Sequence, residues 1–283
     1  MPIVNRLKKL FVLGSNFGSD GQKSNFGGGT KTIPDIVQLE TDVSEYWALE
    51  EVIGDGAFGS VYKARSKLEP GRVAAAKAME LEDDESQDVM VEVSILTQCK
   101  HPNIVELYDA FTMGNRITVA VHCLLNLESF HITVYHNNAK LLLEYCGGGA
   151  VDSIMMELSR HLTEQQIHYI MKEILKALNF LHSKNVIHRD LKAGNVLLTS
   201  DARVKLADFG VSALCKDGRE VRSTFIGTPY WMAPEVMICE TFPEKHYNKL
   251  ADIWSFGITL IEMAEEKPPY AEMNPAKVIF KVC

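Results

Sequence analysis

The spacing of apolar residues changes along the chain and predicts two structural parts. The segment YWALEEVIGDGAFGSVYKA, from Tyr46 to Ala64, contains β-rich runs separated by glycines. This pattern is typical of a strand, a glycine loop and a second strand. The segment DVMVEVSILTQC, residues 88–99, has the apolar rhythm of a helix. The first part is therefore expected to be β-rich with one helix.

The second part is helical from Thr163 onward. In TEQQIHYIMKEILKALNFLH, Thr163 and Gln166 have the spacing of a capping box, which begins a helix. Its apolar residues form one stripe that would face a core, and they are Ile167, Ile170, Met171, Ile174, Leu178 and Leu181. The segment LADIWSFGITLIEMA, residues 250–264, is apolar nearly all round and predicts a central buried helix. The fold class is α+β.

Residues 1–44 are rich in Gly, Ser, Asn and Lys, a composition that predicts a mostly disordered leader. The apolar run near its start is too short to cross a bilayer, so no transmembrane segment is expected. Two readings of that run remain open, a weak contact with a membrane surface and a loose tail.

Composition excludes some functions. The net charge of −8, with no basic stripe, argues against nucleic-acid binding. Scattered cysteines without paired spacing predict reduced thiols in a cytoplasmic protein, and neither a disulfide framework nor a zinc site. They are Cys99, Cys123, Cys146, Cys215, Cys239 and Cys283.

The motif GDGAFGSV supplies three glycines at G-x-G-x-x-G spacing, Gly54, Gly56 and Gly59. A dinucleotide site would need a helix after the third glycine, whereas SVYKA is strand-like. A phosphate P-loop would need G-K-[ST], which is missing from this motif. A glycine hairpin that covers phosphates, with Lys77 of VAAAK reaching them, fits better. Glu92, on the helix that follows, would hold the ammonium of Lys77 in place.

The segment HRDLKAGN, residues 188–195, and the following DFG supply the groups that phosphoryl transfer requires. Asp190 would accept the proton of an attacking hydroxyl, and Lys192 would offset charge on the moving phosphoryl group. Asn195 and Asp208 offer oxygen ligands suited to Mg²⁺. ATP and Mg²⁺ are therefore the expected cosubstrate and cofactor.

With these motifs in order, and with GTPYWMAPE after them, the chain resembles a eukaryotic protein kinase from Tyr46 to its last residue, except for one stretch. DLKAGN and GTPYW resemble the serine/threonine class. HPNIVELYDAF, EYCGGGAVDSIM and ADIWSFGITLIEMAE are most similar to the germinal-centre branch of the sterile-twenty kinases, in the subgroup of the STE-twenty-like kinase and the lymphocyte-oriented kinase. The resemblance implies a bilobal fold, with a small lobe and hinge over residues 45–146 and a large, incomplete lobe over 147–283.

The resemblance also implies a nucleotide site. Leu143 would be the gatekeeper, and the backbone of Glu144 and Cys146 would bind adenine. The ring would lie between apolar side chains, namely Ile53, Val61, Ala75 and Leu197. A regulatory stack anchored by Asp252 would consist of Leu96, Leu107, His188 and Phe209. Ala150 stands where many kinases have a polar contact to ribose.

By the same resemblance, the activation segment runs from Asp208 to Glu235. Thr224 and Ser223 are its candidate phosphosites, and a phosphate there could pair with Arg189. Thr228 would bridge Asp190 and Lys192, and Val211 resembles the residue found in kinases that prefer threonine. Trans-autophosphorylation in homodimers that exchange activation segments is also implied.

One departure from the family is the stretch from Thr112 to Thr133, which lies between two expected strands. Its apolar residues alternate with polar ones, the two-residue period of a strand pair that turns near NLES. An added hairpin is one explanation and a translated intron is the other, which is favoured because an uncovered apolar ribbon is an aggregation hazard.

The second departure is the end of the chain at NPAKVIFKVC. Kinases of this family continue with further helices, one of which carries the arginine that pairs with the glutamate of APE, here Glu235. Without it, Glu235 is expected to lack its partner and the helix near Trp254 to lose cover. The sequence thus predicts a protein kinase that transfers the γ-phosphoryl group of MgATP to Thr or Ser hydroxyls of proteins. The alternative is a truncated or non-catalytic interaction module.

Overall fold

The computed structural model describes residues 37–39, 41–56, 59–80, 86–122, 129–159, 161–215, 226–242 and 244–283. Its strands are β1 (Val37–Leu39), β2 (Trp47–Gly56), β3 (Gly59–Ser66), β4 (Val73–Glu80), β5 (Leu107–His122), β6 (Ser129–Glu144), β7 (Gly149–Ala150), β8 (Val186–Ile187), β9 (Val196–Leu198), β10 (Val204–Leu206) and β11 (Ala213–Leu214). Its α-helices are α1 (Ser86–Gln98), α2 (Val151–Leu158), α3 (Glu164–Ser183), α4 (Pro234–Thr241), α5 (Leu250–Glu265) and α6 (Pro275–Val282). Short 3₁₀ helices span Val43–Glu45, Ala193–Asn195 and Pro229–Trp231.

The N-terminal part is a six-stranded sheet in the order β1-β5-β6-β4-β3-β2. All neighbours are antiparallel except β1 and β5, which run parallel. Because side chains alternate along a strand, β4 buries Ala74 and Ala76 on one face of the sheet with Trp47. It buries Met79 in the larger core, which includes Val93 of α1.

The helical part follows, so the α+β class predicted from the periodicities is confirmed. Helix α3 begins at the predicted capping box, in which Thr163 and Gln166 bond reciprocally. The predicted stripe of α3 lies in or against the main core. The long α-helices thus carry the core of this part, while β9, β10 and β7 form a three-stranded sheet beside it.

The predicted leader of residues 1–44 is too long at its C-terminal end. Residues 1–36 and 40 lie outside the described residues, but β1 pairs with Ala110–Thr112, and the 3₁₀ helix Val43–Glu45 is capped by the Asp42 side chain. Val43 is buried in the cluster on the outer face of the sheet. Composition did not reveal this because the segment contacts residues that lie far along the chain.

The hairpin expected in the added stretch is present in the backbone. The pairing of β5 and β6 continues from Thr112↔Ala139 to His122↔Ser129. Its register places the alternating apolar positions opposite each other, with Ile117↔Val134, Val119↔Ile132 and Val121↔Phe130. The predicted turn at NLES begins within residues 123–128, which lie outside the described residues.

The prediction that α5 is buried all round is wrong. Ile253, Trp254, Leu260 and Ile261 are about two-fifths exposed, whereas the buried positions include Asp252, Ser255, Thr259 and Glu262. The buried positions of α5 are polar because this face of the helix contacts backbone groups of neighbouring loops, and buried backbone groups require polar partners. Within the described part of the chain, no helix has the length and apolar character needed to span a membrane.

Candidate active site

The ammonium of Lys77 lies between two carboxylates where the sheet meets the helical part. Strand β4 places Lys77 opposite Val61 of β3 and Leu141 of β6. Its Nζ donates to both oxygens of Glu92 at 3.1 Å and to Oδ1 of Asp208 at 3.0 Å. The structure therefore joins strand β4, helix α1 and the DFG segment at one atom.

Burial and charge act in opposite directions on this cluster. Burial lowers the pKa of Lys77, but the charges of Glu92 and Asp208 outweigh it, so the pKa lies above its usual value. Burial also raises the pKa of Asp208, and the charge of Lys77 outweighs that effect and lowers the pKa. Lys77 and Asp208 are therefore both held in their charged forms.

A second cluster forms around Asp190, which is buried. Thr228 Oγ1 donates to Asp190 Oδ1 at 2.6 Å, and Lys192 Nζ donates to Oδ2 at 2.7 Å. Lys192 Nζ also donates to Thr228 Oγ1 at 3.0 Å. The amide of Asn195 donates to the carbonyl and to Oδ2 of Asp190, at 2.7 and 3.0 Å. The predicted bridge of Thr228 to Asp190 and Lys192 is thus present in the geometry.

The loop that carries Asp190 is held by the fully buried Asp252 of α5. Its carboxylate accepts the backbone N–H groups of His188 and Arg189 at 3.0 and 2.9 Å. It also lies 2.7 Å from Nε2 of His182. Arg189 has a φ of 71° and Asp208 a φ of 62°, a conformation that costs energy outside glycine and persists where the surroundings enforce it.

The expected stack of four residues lies together in the core. The rings of His188 and Phe209 meet edge to face with centroids 5.0 Å apart. Leu96 and Leu107 lie in the same buried cluster as Phe209. His188 Nε2 is 3.1 Å from the carbonyl of Ala207, so the ring is tied to the strand that leads into DFG.

The residues expected around adenine lie on neighbouring strands. Ala75 pairs with Leu143, Val61 lies on the adjacent strand β3, and Ala150 pairs with Leu197 below them. Ile53 is exposed, at 43%. The carbonyl of Cys146 accepts from Gly149 at 3.0 Å, and among the described residues the Cys146 N–H makes no hydrogen bond to the protein.

The glycine hairpin is formed by β2 and β3, with Gly56 paired to Gly59. Gly59 has a φ of 117°, and a Cβ there would lie 2.0 Å from the carbonyl oxygen of Ala78. A side chain at this position would therefore collide with β4. Gly54 needs no such freedom, since its nearest neighbour is Val61 at 3.7 Å. The tip, Ala57 and Phe58, lies outside the described residues.

The candidate phosphosites Thr224 and Ser223 lie outside the described residues, as does all of 216–225. Arg189 is described and donates through Nε to Val211 O at 2.5 Å. Its two terminal nitrogens donate to Tyr247 Oη and Ser212 O, both at 3.3 Å. The guanidinium is thus held against the start of the activation segment.

Glu235 lies in the first turn of α4 and is partly buried. Within the described part of the chain no ion pair to its carboxylate is seen. Trp254 of α5 is 41% exposed.

Sequence reasoning missed the polar contacts between elements. Lys205 of β10 is buried and reaches Glu144 Oε2 at 2.6 Å. Glu262 of α5 accepts from Ala193 N and from Trp231 Nε1, each at 2.8 Å. The sequence signal for a role of Glu262 is its charge inside an otherwise apolar segment. Its partners could not be predicted, because they lie far away along the chain.

This fold and site define the class of the protein. The chain belongs to the protein kinase domain family, whose pattern matches residues 47–282.

Among curated proteins, the chain is 49% identical over 249 residues to serine/threonine-protein kinase 10 of Homo sapiens, and 48% identical over 247 residues to its namesake in Danio rerio. Each match covers 87% of this chain and 23% of the relative. It is 45% identical over 242 residues to serine/threonine-protein kinase dst2 of Dictyostelium discoideum, a match that covers 85% of this chain and 19% of that protein.

The vertebrate relatives are Ste20-like kinases of the germinal-centre branch, so the predicted resemblance is confirmed. The chain thus spans about a quarter of the length of these relatives or less.

Proposed function

We propose that the protein is a serine/threonine kinase that transfers the γ-phosphoryl group of ATP to Thr or Ser hydroxyls of protein substrates. The observation that carries this proposal is the pairing of two clusters. Lys77, Glu92 and Asp208 form one, and Asp190, Lys192 and Thr228 form the other, with Asn195 beside them. A kinase needs the first cluster for the triphosphate and the second for the hydroxyl.

In this proposal, the adenine ring occupies the space among Ile53, Val61, Ala75, Leu143 and Leu197. The backbone N–H of Cys146 and the backbone of Glu144 would supply its hydrogen bonds. Lys77 remains charged and would bind the α- and β-phosphates while Glu92 holds its side chain. The hairpin with Gly54, Gly56 and Gly59 would cover the phosphates with backbone alone.

Asp190 is the group that accepts the proton. The substrate hydroxyl oxygen forms the new bond to the γ-phosphorus, the bond from that phosphorus to the ADP oxygen breaks, and the hydroxyl proton passes to a carboxylate oxygen of Asp190. The ammonium of Lys192 would offset negative charge on the transferred group. Thr228 holds Asp190 Oδ1 and so fixes the direction of the carboxylate.

The residues present fit a divalent metal ion. Asn195 uses its amide nitrogen on Asp190, and among the described residues no donor occupies its side-chain oxygen. Asp208 is held ionised beside Lys77. Two such oxygens are the ligands that Mg²⁺ prefers alongside phosphate, and the ion would neutralise charge on the triphosphate when bound.

Regulation by phosphorylation belongs to the same proposal. Thr224, and secondarily Ser223, would receive a phosphate in trans from a second copy that exchanges activation segments. Arg189 would pair with that phosphate, which would order the segment. Val211 supports a preference for threonine, and the cysteine pattern supports a cytoplasmic location.

The direct test is transfer of radioactive phosphate from MgATP to a generic protein substrate. The parent protein should be active, and Asp190→Asn should reduce transfer by about 10³-fold or more because the proton acceptor is lost. Asp190→Asn should still bind MgATP in calorimetry with nearly parental affinity. Equal transfer by both proteins would contradict the proposal and support a non-catalytic interaction module.

A further inference from the structure

Helix α2 begins beside the loop that carries Asp190, and its first turn contains the carboxylate of Asp152. The helix is fixed by its buried residues Val151 and Met155, whereas Asp152 between them is only partly buried. Helix α2 packs against the 3₁₀ helix Ala193–Asn195. The carboxylate therefore stands on a fixed helix at the edge of the candidate active site.

Gly194, in the middle of that 3₁₀ helix, leaves the space into which this carboxylate extends. A Cβ at Gly194 would lie 2.8 Å from Oδ2 of Asp152 and 3.4 Å from its Cγ. The φ of Gly194 is not in the positive range, so the conformation of its backbone does not require glycine. The missing side chain instead allows the carboxylate to approach the loop closely.

One oxygen of this carboxylate is held and the other is open. Oδ1 accepts the backbone N–H of Ser153 at 2.6 Å and lies 3.2 Å from Ser153 Oγ. Among the described residues, no hydrogen bond or ion pair to Oδ2 is seen. Lys192, two residues before Gly194, bonds instead to Asp190 and Thr228. Oδ2 is therefore an oriented acceptor, and no cation of that part of the chain pairs with it.

The surface beside Asp152 is formed by residues without large side chains. Gly148, Gly149 and Ala150 lead into α2, and a Cβ at Gly149 would meet nothing within 4 Å. The side chain of Ala150 is a methyl group, and Gly194 has none. A ligand that lies along this surface therefore meets mainly backbone and the carboxylate of Asp152.

A carboxylate in this position favours a cation. Hydrogen bonds between two charged groups are shorter and about twice as strong as neutral ones, and a guanidinium group matches a carboxylate in shape. The net charge of −8 of the whole chain also attracts basic segments. Since the triphosphate of ATP is itself negative, a cation that reaches this carboxylate would belong to the protein substrate.

The position of the carboxylate also suits a protein substrate. Asn195, next to Gly194, bonds to Asp190, so only a short loop separates Asp152 from the proposed proton acceptor. An extended peptide advances about 3.3 Å per residue. A side chain a few residues away from the accepting hydroxyl can therefore reach Asp152.

We propose that Asp152 is a specificity residue that binds the guanidinium or ammonium group of an Arg or Lys a few residues from the accepting Thr or Ser of a protein substrate. The inference rests on the proposed kinase activity and names a substrate class for it, segments with a basic residue at one fixed position. Asp152 takes no part in the transfer itself. Its loss should remove a preference among substrates and leave transfer to a substrate without the basic residue unchanged.

The experiment measures kcat/KM for synthetic peptides that contain one Thr in an alanine-rich background. Each peptide has one Arg within about four residues of the Thr on either side, and the reference peptide has none. We expect the parent protein to prefer Arg at one position over the reference peptide by about 10-fold, because hydrogen bonds to charged groups contribute more than neutral ones.

Asp152→Asn keeps the shape of the side chain and removes its charge. This variant should reduce the preference for Arg to less than about twofold, while kcat/KM for the reference peptide and the KM for ATP stay at their parental values. Asp152→Arg should reverse the preference, so that Glu is favoured at the same position. The matched control is Glu157→Gln, which removes a charge from an exposed position of the same helix and should keep the preference for Arg.

Gly194→Ala tests the geometry without a change in charge. The new methyl group would lie 2.8 Å from Oδ2, so the carboxylate must move away from the loop. The preference for Arg should then fall by about threefold or more, because small misplacements have large effects on rate. If Asp152→Asn does not fold, as judged by circular dichroism, the peptide preference of Gly194→Ala decides the matter alone.

The inference is overturned if the parent protein shows no preference for Arg at any position, or if Asp152→Asn retains the preference. An equal loss of transfer to all peptides in Asp152→Asn would indicate a structural role and would also overturn it. A higher KM for ATP with an unchanged peptide preference would assign Asp152 to the ribose and have the same consequence. Transfer by the parent no faster than by Asp190→Asn, for every peptide, would instead overturn the proposed function and this inference with it.

Discussion

At the scale of single residues, the surroundings of a side chain decide what it can do. Lys77 and Asp208 keep their charges despite burial, because each lies 3.0 Å from the other. Cys146 shows the opposite case, since its thiol is partly buried beside the carboxylate of Glu144. Burial, followed by that negative charge, raises the pKa of Cys146 from 9.0 to about 12.

This pKa predicts a slow reaction of Cys146 with alkylating agents. At pH 8, an increase from 9.0 to about 12 lowers the thiolate fraction by about 10³, while the greater nucleophilicity of a more basic thiolate recovers about 20-fold. Cys146 in the folded protein should thus react with iodoacetamide about 50-fold more slowly than in urea. Peptide mass spectrometry measures both rates. The exposed Cys283, whose pKa burial also raises, is a comparison within the same protein, and equal rates for Cys146 in the folded protein and in urea would refute the prediction.

At the scale of elements, local sequence patterns predicted the helix ends and strand pairings that depend on residues close together in the sequence. The capping box at Thr163 and the two-residue alternation around Val119 each produced the expected helix end and strand pairing. Among the described residues, the ribbon of β5 and β6 beyond Met113↔Asn138 pairs only with itself. In the described part of the chain, the last pair between β4 and β6 is Glu80 with Asn138, and the last pair between β1 and β5 is Leu39 with Thr112.

The ribbon should therefore be dispensable for the kinase fold. Replacement of residues 113–138 by Asn-Gly would connect the paired Thr112 and Ala139 through the two-residue turn that hairpins favour. Since an isolated two-stranded ribbon is marginally stable in water, the melting temperature should change by no more than about 5 °C. Phosphate transfer should be retained.

Calorimetry and the transfer assay on the shortened chain test this prediction. Loss of a cooperative unfolding transition would show that the ribbon supports the fold. Sequencing of the transcript across residues 111–134 tests the separate explanation by an intron. Transcripts without that stretch would remove the hairpin from the natural protein.

At the scale of the whole molecule, buried polar contacts hold distant parts of the chain together. Lys205 Nζ of β10 forms an ion pair with Glu144 Oε2 at 2.6 Å, with side-chain exposures of 7 and 14%. Its Nζ also lies 3.4 Å from the carbonyl of Ile104. Glu144 ends the last strand of the N-terminal sheet, so this ion pair connects the sheet to the helical part next to the proposed adenine site.

Loss of Lys205 should therefore be costly. Lys205→Met leaves the Glu144 carboxylate buried without its cation, and we expect the free energy of unfolding to fall by about 3–5 kcal/mol. The double variant Lys205→Met with Glu144→Met should be more stable than the single one, since no charge is left unpaired. Urea denaturation measures these differences.

The matched control is Arg203→Met on the neighbouring exposed position. Its ion pair with Asp201 has exposures of 63 and 64%, and such pairs contribute at most about 1 kcal/mol. A loss of similar size in Arg203→Met and Lys205→Met would contradict the role assigned to burial.

The sequence by itself determined the class of the fold and indicated which groups we propose to react. Strand and helix periodicities depend on neighbours within a few residues. The motifs around Gly59, Asp190 and Asp208 are also short, so the types and spacing of their residues indicate their chemistry. The resemblance to protein kinases followed from those motifs, and the family match confirmed it.

Only the tertiary structure decided which polar groups meet across the chain. Glu262 and Trp231, like Lys205 and Glu144, are far apart in sequence, and no local spacing relates them. It also placed Val43 and Trp47 on the outer face of the sheet, which shortened the expected leader. The physical reason is that a buried hydrogen bond depends on three-dimensional proximity and on exclusion of water, and neither is encoded in a short stretch of residues.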